Sequence, residues 1–293
     1  MHDMGQWHPE SPARLHAIAD QLIASGLEFS LRHLDAPLAS REQLCRVHTP
    51  AYVDDILNHA PQHGTRMLDM DTSMNPHSLA AALRAAGAGV LAVDLLMQGE
   101  VSAAFCSVRP PGHHAERARA MGFCIFNNIA VAAAHALTTH PLERIAIVDF
   151  DVHHGNGTED IFANDPRVLF CSTFQHPFYP YCGADTHNSH IVNTPLAAGS
   201  RGLQFRAAVT THWLPALQAH RPQMLFISAG FDAHREDDMA GLGLVEDDYA
   251  WVTTQVSALA AQSAQGRIVS MLEGGYALSA LGRSVVAHIK ALM

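Results

Sequence analysis

The sequence predicts a single α/β domain in which helices cover both faces of a mostly parallel central sheet. Short apolar runs of strand length alternate with helical segments through nearly all of the 293 residues, and this alternation is typical of parallel sheets with right-handed crossovers. No segment has the composition of a linker, an internal repeat or a low-complexity region, and the length suits one large domain. We therefore expect residues 1–293 to form one three-layer sandwich.

The first third of the chain is predicted to be largely helical. Thr49 and Pro50 supply the N-cap and first-turn proline that often begin a helix, and Asn75 and Pro76 repeat this pattern before an alanine-rich stretch. Helices are therefore predicted at about 12–25, 49–59 and 75–95.

Short apolar runs followed by turn-forming or polar residues predict the strands of the sheet. These strands are Ala103–Val108, Ile145–Val148, Val168–Thr173, Met224–Ser228 and Ile268–Leu272. Helices are predicted at about 127–139, near Thr158, at about 203–219 and 246–262, and at the C-terminal end. Residues 109–115 and 175–193 are predicted to be loops.

The composition narrows the class of function. Hydrophobic residues make up 48% of the chain and charged residues 16%, which is enough for a buried core and unlike a disordered chain. The net charge of −10 argues against binding to nucleic-acid phosphates and favours a cationic substrate. Five cysteines without a C-x-x-C pair indicate a reducing compartment, which we take to be the cytoplasm. We find neither a signal peptide nor an uncharged apolar run long enough to cross a membrane.

Polar side chains replace apolar ones at the end of the predicted strand Ile145–Val148. In an extended segment Asp149, Asp151 and His153 would lie on the same side. A carboxylate and an imidazole on one short segment can form half of a divalent-metal site. An isolated D-x-H pattern is more often a solvated strand end next to a helix N-cap, so the interpretation depends on the rest of the chain.

Three other strand ends are expected to deliver polar groups to the same edge of the sheet. Asp232 follows an apolar strand and is either a third metal ligand or a helix N-cap. His113 and His114 follow two prolines and a glycine, so this loop could hold them as general acid and base, with Asp149 orienting one ring. Tyr276 ends an E-G-G-Y turn that we expect to be flexible, so its phenol is either a donor to an oxyanion or an ordinary surface group.

Five motifs in this order resemble those of the histone deacetylase superfamily, nearest its class II and bacterial deacetylase-like members. They are R-P-P-G-H-H-A (109–115), M-G-F-C-I-F-N-N (121–128), D-F-D-V-H-H-G-N-G-T (149–158), S-A-G-F-D-A-H (228–234) and E-G-G-Y (273–276). The similarity covers nearly the whole chain. It implies the arginase/deacetylase fold and a zinc-dependent amidohydrolase that removes acetyl or similar acyl groups from lysine-type amines.

The resemblance also implies a role for individual residues. The matching zinc ligands are Asp151, His153 and Asp232, although Fe²⁺ is possible at such sites. The matching catalytic residues are His113 paired with Asp149, His114 as general base, Asn156 behind it, and Tyr276 as transition-state donor. An asparagine rather than an aspartate at 156 is typical of class II-like members.

A further set of residues resembles the family's substrate and potassium sites. The matching substrate positions are Gly122, Phe123, Phe178, Tyr179, Met239, Gly274 and Arg14. Phe123 would form a tunnel wall facing Phe178 or Tyr179, and Arg14 would lie near the acetate exit. The resemblance places a structural K⁺ at Asp149, Ser172 and the carbonyls of Asp151 and His153.

Three features differ from the pattern of the family or of some of its members. Relatives usually have a strand before the H-D-M-G segment in which this chain begins, so we expect an edge strand to be missing or truncated. The loop 175–193 lacks the long insertion of dimeric acetylpolyamine amidohydrolases, and Met239 replaces the acidic gatekeeper of strict polyamine deacetylases. Acylated lysine side chains of proteins are therefore the favoured substrates. Acetylpolyamines or other small amides are the alternative, and a non-catalytic acyl-lysine binding protein is a more distant one. The oligomeric state is not predicted.

Overall fold

A six-stranded sheet in which all paired strands are parallel forms the centre of the computed structural model, which describes residues 1–293. Its strand order is β3-β8-β7-β4-β5-β6, and a small antiparallel hairpin, β1-β2, lies apart from it. The strands are β1 (Arg66–Met67), β2 (Ser73–Met74), β3 (Ala103–Cys106), β4 (Ile145–Asp149), β5 (Val168–Gln175), β6 (Ile191–Leu196), β7 (Leu225–Ala229) and β8 (Ile268–Leu272). The expected fold class is confirmed.

Helices form a layer on each face of the sheet. They are α1 (Ala13–Ala24), α2 (Arg41–Leu44), α3 (Pro50–Asn58), α4 (Ser78–Met97), α5 (Asn128–Thr139), α6 (Asn156–Phe162), α7 (Gly202–Ala208), α8 (Leu214–His220), α9 (Glu246–Ser263) and α10 (Leu278–Leu292). Helix α1 and helices α7 to α10 share one hydrophobic core, and α2 to α6 share the other. The fold is therefore a three-layer sandwich.

The residues of β4 show why the central strands are apolar throughout. Ala146 and Val148 belong to one core, whereas Ile145 and Ile147 belong to the other. Successive side chains of a strand point to opposite faces, so a strand covered on both sides needs apolar residues at every position. The first polar side chain appears at Asp149, the last residue of the strand.

The structure corrects the prediction for residues 175–193. Gln175 is the last residue of β5, and β6 begins at Ile191, so an edge strand replaces part of the predicted loop. Strand β6 contains the polar residues Asn193 and Thr194, and Pro195, which has no N–H to donate to a neighbouring strand. Such residues are unusual in a central strand. At the other edge of the sheet, no strand pairs with the outer side of β3.

Two helix predictions also need correction. The helix predicted from Asn75 begins at Ser78, because Asn75 Oδ1 instead accepts a hydrogen bond from the His77 N–H in a turn before it. The continuous helix predicted over 203–219 is interrupted by a π-helical turn, Val209–Trp213, directly before α8. Pro215 lies in the first turn of α8 and has no N–H to donate to a regular helical ladder.

Helix α4 is the only helix long and apolar enough, by length and composition, to cross a membrane. Core helices of soluble proteins meet the same criteria. More than half of its most apolar window is buried inside the structure, 56% of the residues.

Candidate active site

Loops after five neighbouring strands meet at the carboxyl edge of the sheet. In the order β3-β8-β7-β4-β5 they carry His113 and His114, Gly274 and Tyr276, Asp232, the segment 149–154, and Phe178 with Tyr179. The carboxyl ends of parallel strands are the usual location of ligand sites in such sheets. The structure thus brings together polar groups that are far apart in the sequence.

Asp151, His153 and Asp232 form a compact buried cluster. His153 Nδ1 lies 3.1 Å from Asp151 Oδ1 and 3.2 Å from Asp232 Oδ2. A ligand atom of each residue lies within 4.8 Å of the other two. Asp232 does not cap a helix, so the alternative interpretation of this residue is not supported.

The hydrogen bonding of Asp232 shows that a cation fits this cluster. Its Oδ1 accepts a hydrogen bond from the Val152 N–H at 2.9 Å. Its buried Oδ2 accepts no hydrogen bond of good geometry and has only the His153 ring beside it, with Nδ1 at 3.2 Å. Burial, reinforced by the charge of Asp151, raises the pKa of Asp232 to about 6. An unpaired buried carboxylate oxygen is costly unless a cation binds it. Two carboxylates and one imidazole are a donor set that suits Zn²⁺ or Fe²⁺.

Two turns approach these carboxylates so closely that only glycine fits. A Cβ atom on Gly274 would lie 2.0 Å from Asp232 Oδ2, and one on Gly230 would lie 2.0 Å from Asp151 Oδ2. The Gly274 N–H donates to Asp151 Oδ2 at 2.8 Å. Steric crowding by the two carboxylates therefore explains why glycine occupies these positions in the S-A-G-F-D and E-G-G-Y motifs.

The two adjacent histidines have different partners. His113 Nδ1 lies 2.9 Å from Asp149 Oδ2, and His114 Nδ1 lies 2.7 Å from Asn156 Oδ1. The Asn156 amide is oriented by a hydrogen bond from its Nδ2 to Glu116 Oε1 at 2.8 Å. Because Asn156 Oδ1 can only accept, the proton of a neutral His114 lies on Nδ1 and its Nε2 is free to accept another.

Electrostatics also distinguishes the two rings. Burial disfavours the charged form of His113, but the charges of Asp149 and Asp151 outweigh it and hold the pKa of His113 well above its ordinary value. Burial together with the positive charges of His113 and His153 holds the pKa of His114 well below its ordinary value. The pair thus combines a proton donor with a neutral base.

The turn that carries Tyr276 is anchored on several sides, contrary to the expected flexibility. The backbone N–H groups of Tyr276 and Ala277 donate to Asp237 Oδ2 at 2.6 and 2.9 Å. The Gly275 carbonyl accepts from Arg14 Nε at 2.7 Å. The Arg14 guanidinium carbon lies 5.0 Å from the centroid of the Tyr276 ring, and the Phe123 ring stands perpendicular to that ring at 6.0 Å.

A cavity of about 210 Å³ leads to the cluster. It is lined by Asp71, Pro111, His113, His114, Gly122, Phe123, His153, Phe178, Tyr179, Met239, Gly274 and Tyr276. Phe178 stacks on the His153 ring at 5.6 Å, and Tyr179 makes an edge contact with His114 at 5.3 Å. The expected substrate residues therefore share one cavity, except Arg14, which is fully buried behind Tyr276.

Gly122 and Phe123 adopt a tight conformation at the cavity wall. Both have positive φ, +57° and +68°, and a Cβ on Gly122 would lie 2.4 Å from the His114 ring. Their N–H groups donate to Asp71 Oδ1 at 3.2 Å and Thr72 Oγ1 at 2.9 Å. The β1-β2 hairpin thus holds this wall in place.

The expected potassium ligands are also adjacent. Asp149 and Ser172 are direct neighbours in the pairing of β4 with β5. The Asp151 N–H donates to Asp149 Oδ1 at 3.1 Å, which turns the chain sharply after the strand. Ser172 Oγ lies 3.4 Å from His154 Nδ1.

Three acidic residues of the site were missed from the sequence. Glu273 Oε2 accepts from the N–H groups of Gly112 and His113 at 2.7 and 3.1 Å, and burial raises its pKa to about 7. Asp71 lines the cavity, and Glu10 binds both Arg14 and Arg109 in the interior. Glu273 begins the E-G-G-Y motif and could have been recognised there. No sequence motif marks Asp71 or Glu10.

The fold defines the class of protein, that of the arginase and deacetylase enzymes. The solved structure of the HDA15 HD domain superposes with a TM-score of 0.93 at 35% identity, covering 100% of this chain and 83% of that chain. The chain belongs to the histone deacetylase family, because the histone deacetylase domain profile matches residues 8–292. Membership in this family of deacetylases and amidohydrolases supports hydrolase activity.

Two curated relatives illustrate the range of the family. The histone deacetylase-like amidohydrolase of Pseudomonas aeruginosa is 38% identical over 276 residues, 92% of this chain and 72% of the relative. The polyamine deacetylase HDAC10 of Homo sapiens is 36% identical over 302 residues, 97% of this chain and 44% of the human protein. The resemblance indicated by the five motifs is confirmed.

Proposed function

We propose that this protein is a zinc-dependent deacetylase that hydrolyses the amide of N-ε-acetyl-lysine or a similar acyl-lysine group, with Fe²⁺ as a possible replacement for zinc. The observation that carries the proposal is the convergence of Asp151, His153 and Asp232 beside His114. Burial, together with the charges of His113 and His153, holds the pKa of His114 well below its ordinary value. A divalent cation held by these three residues would supply Lewis acidity to the acyl carbonyl and to the attacking water.

The protein's own residues move the protons of the reaction. His114 Nε2 accepts a proton from the attacking water, as its neutral form and the Asn156 contact allow. His113, held by Asp149, donates a proton to the leaving amine when the C–N bond breaks. The Tyr276 phenol donates a hydrogen bond to the oxyanion of the tetrahedral intermediate. The products are a carboxylate and a free amine.

The cavity supports an acylated side chain as substrate. Phe123, Phe178 and Tyr179 offer apolar and aromatic surface to a neutral methylene stem. The product amine is a cation, and the net charge of −10 on this protein would attract it from the cavity toward acidic surroundings. We propose that K⁺ beside Asp149 and Ser172 stabilises the segment that carries the cation ligands.

Met239 bears on the choice between lysine and polyamine substrates. It lines the cavity with a neutral thioether, where a carboxylate would attract the second amine of a polyamine. Acyl-lysine is therefore the first candidate. An acetylpolyamine is the second, because the relative named a polyamine deacetylase aligns with 97% of this chain. The ratio of kcat/KM for an acetylated peptide to that for acetylspermidine distinguishes the two.

The reaction is tested with a fluorogenic acetyl-lysine peptide. We expect chelation to abolish cleavage and one equivalent of zinc to restore it. Tyr276→Phe removes one oxyanion donor and should lower kcat by about 10²- to 10³-fold. Tyr181→Phe, at an exposed tyrosine, is the matched control and should retain full activity. Cleavage that survives chelation, or a Tyr276→Phe enzyme at full rate, would contradict the proposal.

A further inference from the structure

We infer that Asp94, His135 and His140 form a second divalent-metal site outside the catalytic centre. The Nε2 atoms of His135 and His140 lie 2.8 and 2.9 Å from the same oxygen, Asp94 Oδ1. A ligand atom from each residue lies within 4.8 Å of the other two. Apart from the catalytic cluster, no other group of at least three such side chains converges in this way.

The location of this cluster separates it from the catalytic chemistry. Asp94 is on α4, His135 is near the end of α5, and His140 directly follows α5. The opposite end of α5 faces the catalytic loop, where Asn128 Nδ2 donates to the Pro110 carbonyl at 3.0 Å. A helix of 12 residues is about 18 Å long, so the two sites occupy opposite ends of α5.

The geometry needs only a small adjustment to accept a cation. Zinc binds nitrogen and oxygen ligands at about 2.0–2.1 Å, which places tetrahedral ligands about 3.3 Å apart. The two observed nitrogen–oxygen distances of 2.8 and 2.9 Å would have to lengthen by about half an ångström. The side chains of Asp94 and His140 are 37% and 20% exposed, so water can complete the coordination. Two imidazoles and a carboxylate suit Zn²⁺, Ni²⁺, Co²⁺ or Cu²⁺.

Arg46 opposes metal binding in the observed arrangement. Its Nη1 lies 2.8 Å from His135 Nδ1 and donates to it, so the proton of a neutral His135 is on Nε2 and points at Asp94. A cation on Nε2 requires the proton to move to Nδ1, where it would face the Arg46 N–H. Arg46 must then turn away, and Glu42 Oε1, already 3.5 Å from its Nη2, is available as a partner.

A hydrogen-bonded helix contact and a metal site predict different behaviour for Arg46→Ala. If the cluster only joins α4 to α5, removing Arg46 has no effect on metal affinity. If the cluster binds a cation, the same change removes a competing donor and a positive charge, and the affinity of the second site should rise by about tenfold or more.

The experiment is a titration of the purified, metal-free full chain with Zn²⁺ in competition with a chromophoric chelator. We expect two equivalents in the wild type, one in His140→Ala and one in Asp94→Asn, with deacetylase activity at one equivalent unchanged in both variants. His59→Ala is the matched control, because exposed His59 also bonds a carboxylate, Asp55 Oδ1 at 2.9 Å, without a second histidine. It should keep two equivalents.

Several results would overturn the inference. They are a single equivalent in the wild type that both His140→Ala and Asp94→Asn retain, two equivalents in both of these variants, or an unchanged second affinity in Arg46→Ala. A single wild-type equivalent that both variants lose would instead leave this site intact and count against a cation at Asp151, His153 and Asp232. Asp94→Asn preserves the shape of the side chain, so it reports on the site even if His140→Ala fails to fold. Equal losses in His59→Ala would show non-specific histidine binding and would also reject the site.

Discussion

Asn156 decides which of the two adjacent imidazoles can accept a proton. Its amide is oriented by Glu116, so its oxygen faces His114 Nδ1 and leaves the outer nitrogen of that ring unprotonated. His113 faces the carboxylate of Asp149 instead. Although burial disfavours its charged form, the charges of Asp149 and Asp151 hold the pKa of His113 well above its ordinary value. One neutral partner and one charged partner thus assign opposite roles to chemically identical side chains.

Replacing Asn156 with aspartate tests this assignment. A carboxylate at this position would favour the protonated ring and raise the pKa of His114. As the pH falls, His114 would then become protonated, and inactive as a base, at a higher pH than in the wild type. The acid limb of the kcat/KM profile should therefore move upward by on the order of one pH unit. Asn58→Asp, at an exposed position on α3, is the control and should leave the profile unchanged. An unmoved limb in Asn156→Asp would show that His114 is not the base.

Glu10 is the counterpart of two buried guanidinium groups. It accepts hydrogen bonds from Arg14 and Arg109. Although burial opposes ionisation, the nearby His2 ring, with Nε2 3.3 Å from Glu10 Oε2, the hydrogen bonds from Arg109 and the charges of both arginines lower the pKa of Glu10 to about 2. The carboxylate is therefore charged at every pH at which the protein would be used.

Glu10→Gln is expected to destabilise the protein by about 3–5 kcal/mol, because it leaves two buried cations without their counter-charge. Urea unfolding measures the free energy of unfolding. Asp54→Asn is the matched control, since Asp54 pairs with Arg41 on the surface through two hydrogen bonds, at 2.6 and 2.8 Å, and should matter little. If Glu10→Gln and Asp54→Asn lowered the free energy of unfolding by similar amounts, burial would not be the reason that Glu10 matters.

The sequence predicts residues of the site where they belong to a short motif. Asp149, Asp151 and His153 lie within five positions at the end of a strand, so the pattern predicts that they share one side of the chain, and the other motifs decide between a metal site and a solvated strand end. Asp71 and Glu10 reach the site from separate segments, through contacts that exist only in the folded chain. Single-sequence reasoning has no means of finding such residues.

Three secondary-structure elements meet at the buried side chain of His288 in α10. Its Nε2 lies 2.8 Å from Ser270 Oγ in β8, and its Nδ1 lies 2.6 Å from Thr253 Oγ1 in α9. The Thr253 hydroxyl donates to the Tyr249 carbonyl at 2.6 Å, so it must accept from His288. The Nδ1 atom of His288 therefore carries a proton.

This contact makes the stability of the protein depend on pH. Burial lowers the pKa of His288 from its ordinary value of 6.5 to about 3. The unfolded chain takes up a proton below the ordinary value and the folded chain does not, so the free energy of unfolding should fall as the pH decreases across this window. His288→Gln should reduce the slope by up to about 1.4 kcal/mol per pH unit.

Urea unfolding at about pH 4.5 and pH 6 measures this slope. The control is His212→Gln at an exposed histidine, which should leave the slope as it is in the wild type. A slope that is the same in His288→Gln and the wild type would show that this ring is protonated in the folded protein.

Elements were predictable in proportion to their burial. The central strands β4, β7 and β8 are buried at every position and give continuous apolar runs. Strand β6 lies at an edge, has only three fully buried positions of six and contains proline, so its sequence resembles a loop. The π-helical turn before α8 could not be seen in the sequence, because the buried apolar residues Val209, Trp213 and Leu217 follow one another at the four-residue spacing of a regular helix.

For the molecule as a whole, the alternation of strands and helices predicted the fold class, and the polar strand ends predicted which edge of the sheet carries the candidate site. The strand order did not follow, because it depends on which helices share a core. The two cores contain 33 buried residues each, and their balance accounts for a sheet with no solvent-exposed face.

Removing bound metal should lower the thermal stability of the whole molecule. Without a cation, the buried carboxylates of Asp151 and Asp232 repel each other. One equivalent of zinc at about 100 times its dissociation constant should raise Tm by on the order of 5 °C relative to chelated protein. Asp232→Asn removes one carboxylate and should show a smaller shift. Equal Tm with and without metal would argue against a cation at this cluster.

The anchoring of the Tyr276 turn has a consequence for protein engineering. Its backbone is hydrogen-bonded to side chains of three separate segments, those of Asp151, Arg14 and Asp237. Inserting or deleting a residue in this turn would therefore misplace the phenol, whichever side chains were chosen. Libraries aimed at new acyl groups should therefore vary side chains at Met239 and Phe178 on the cavity wall and keep the length of the chain between Leu272 and Leu278 fixed.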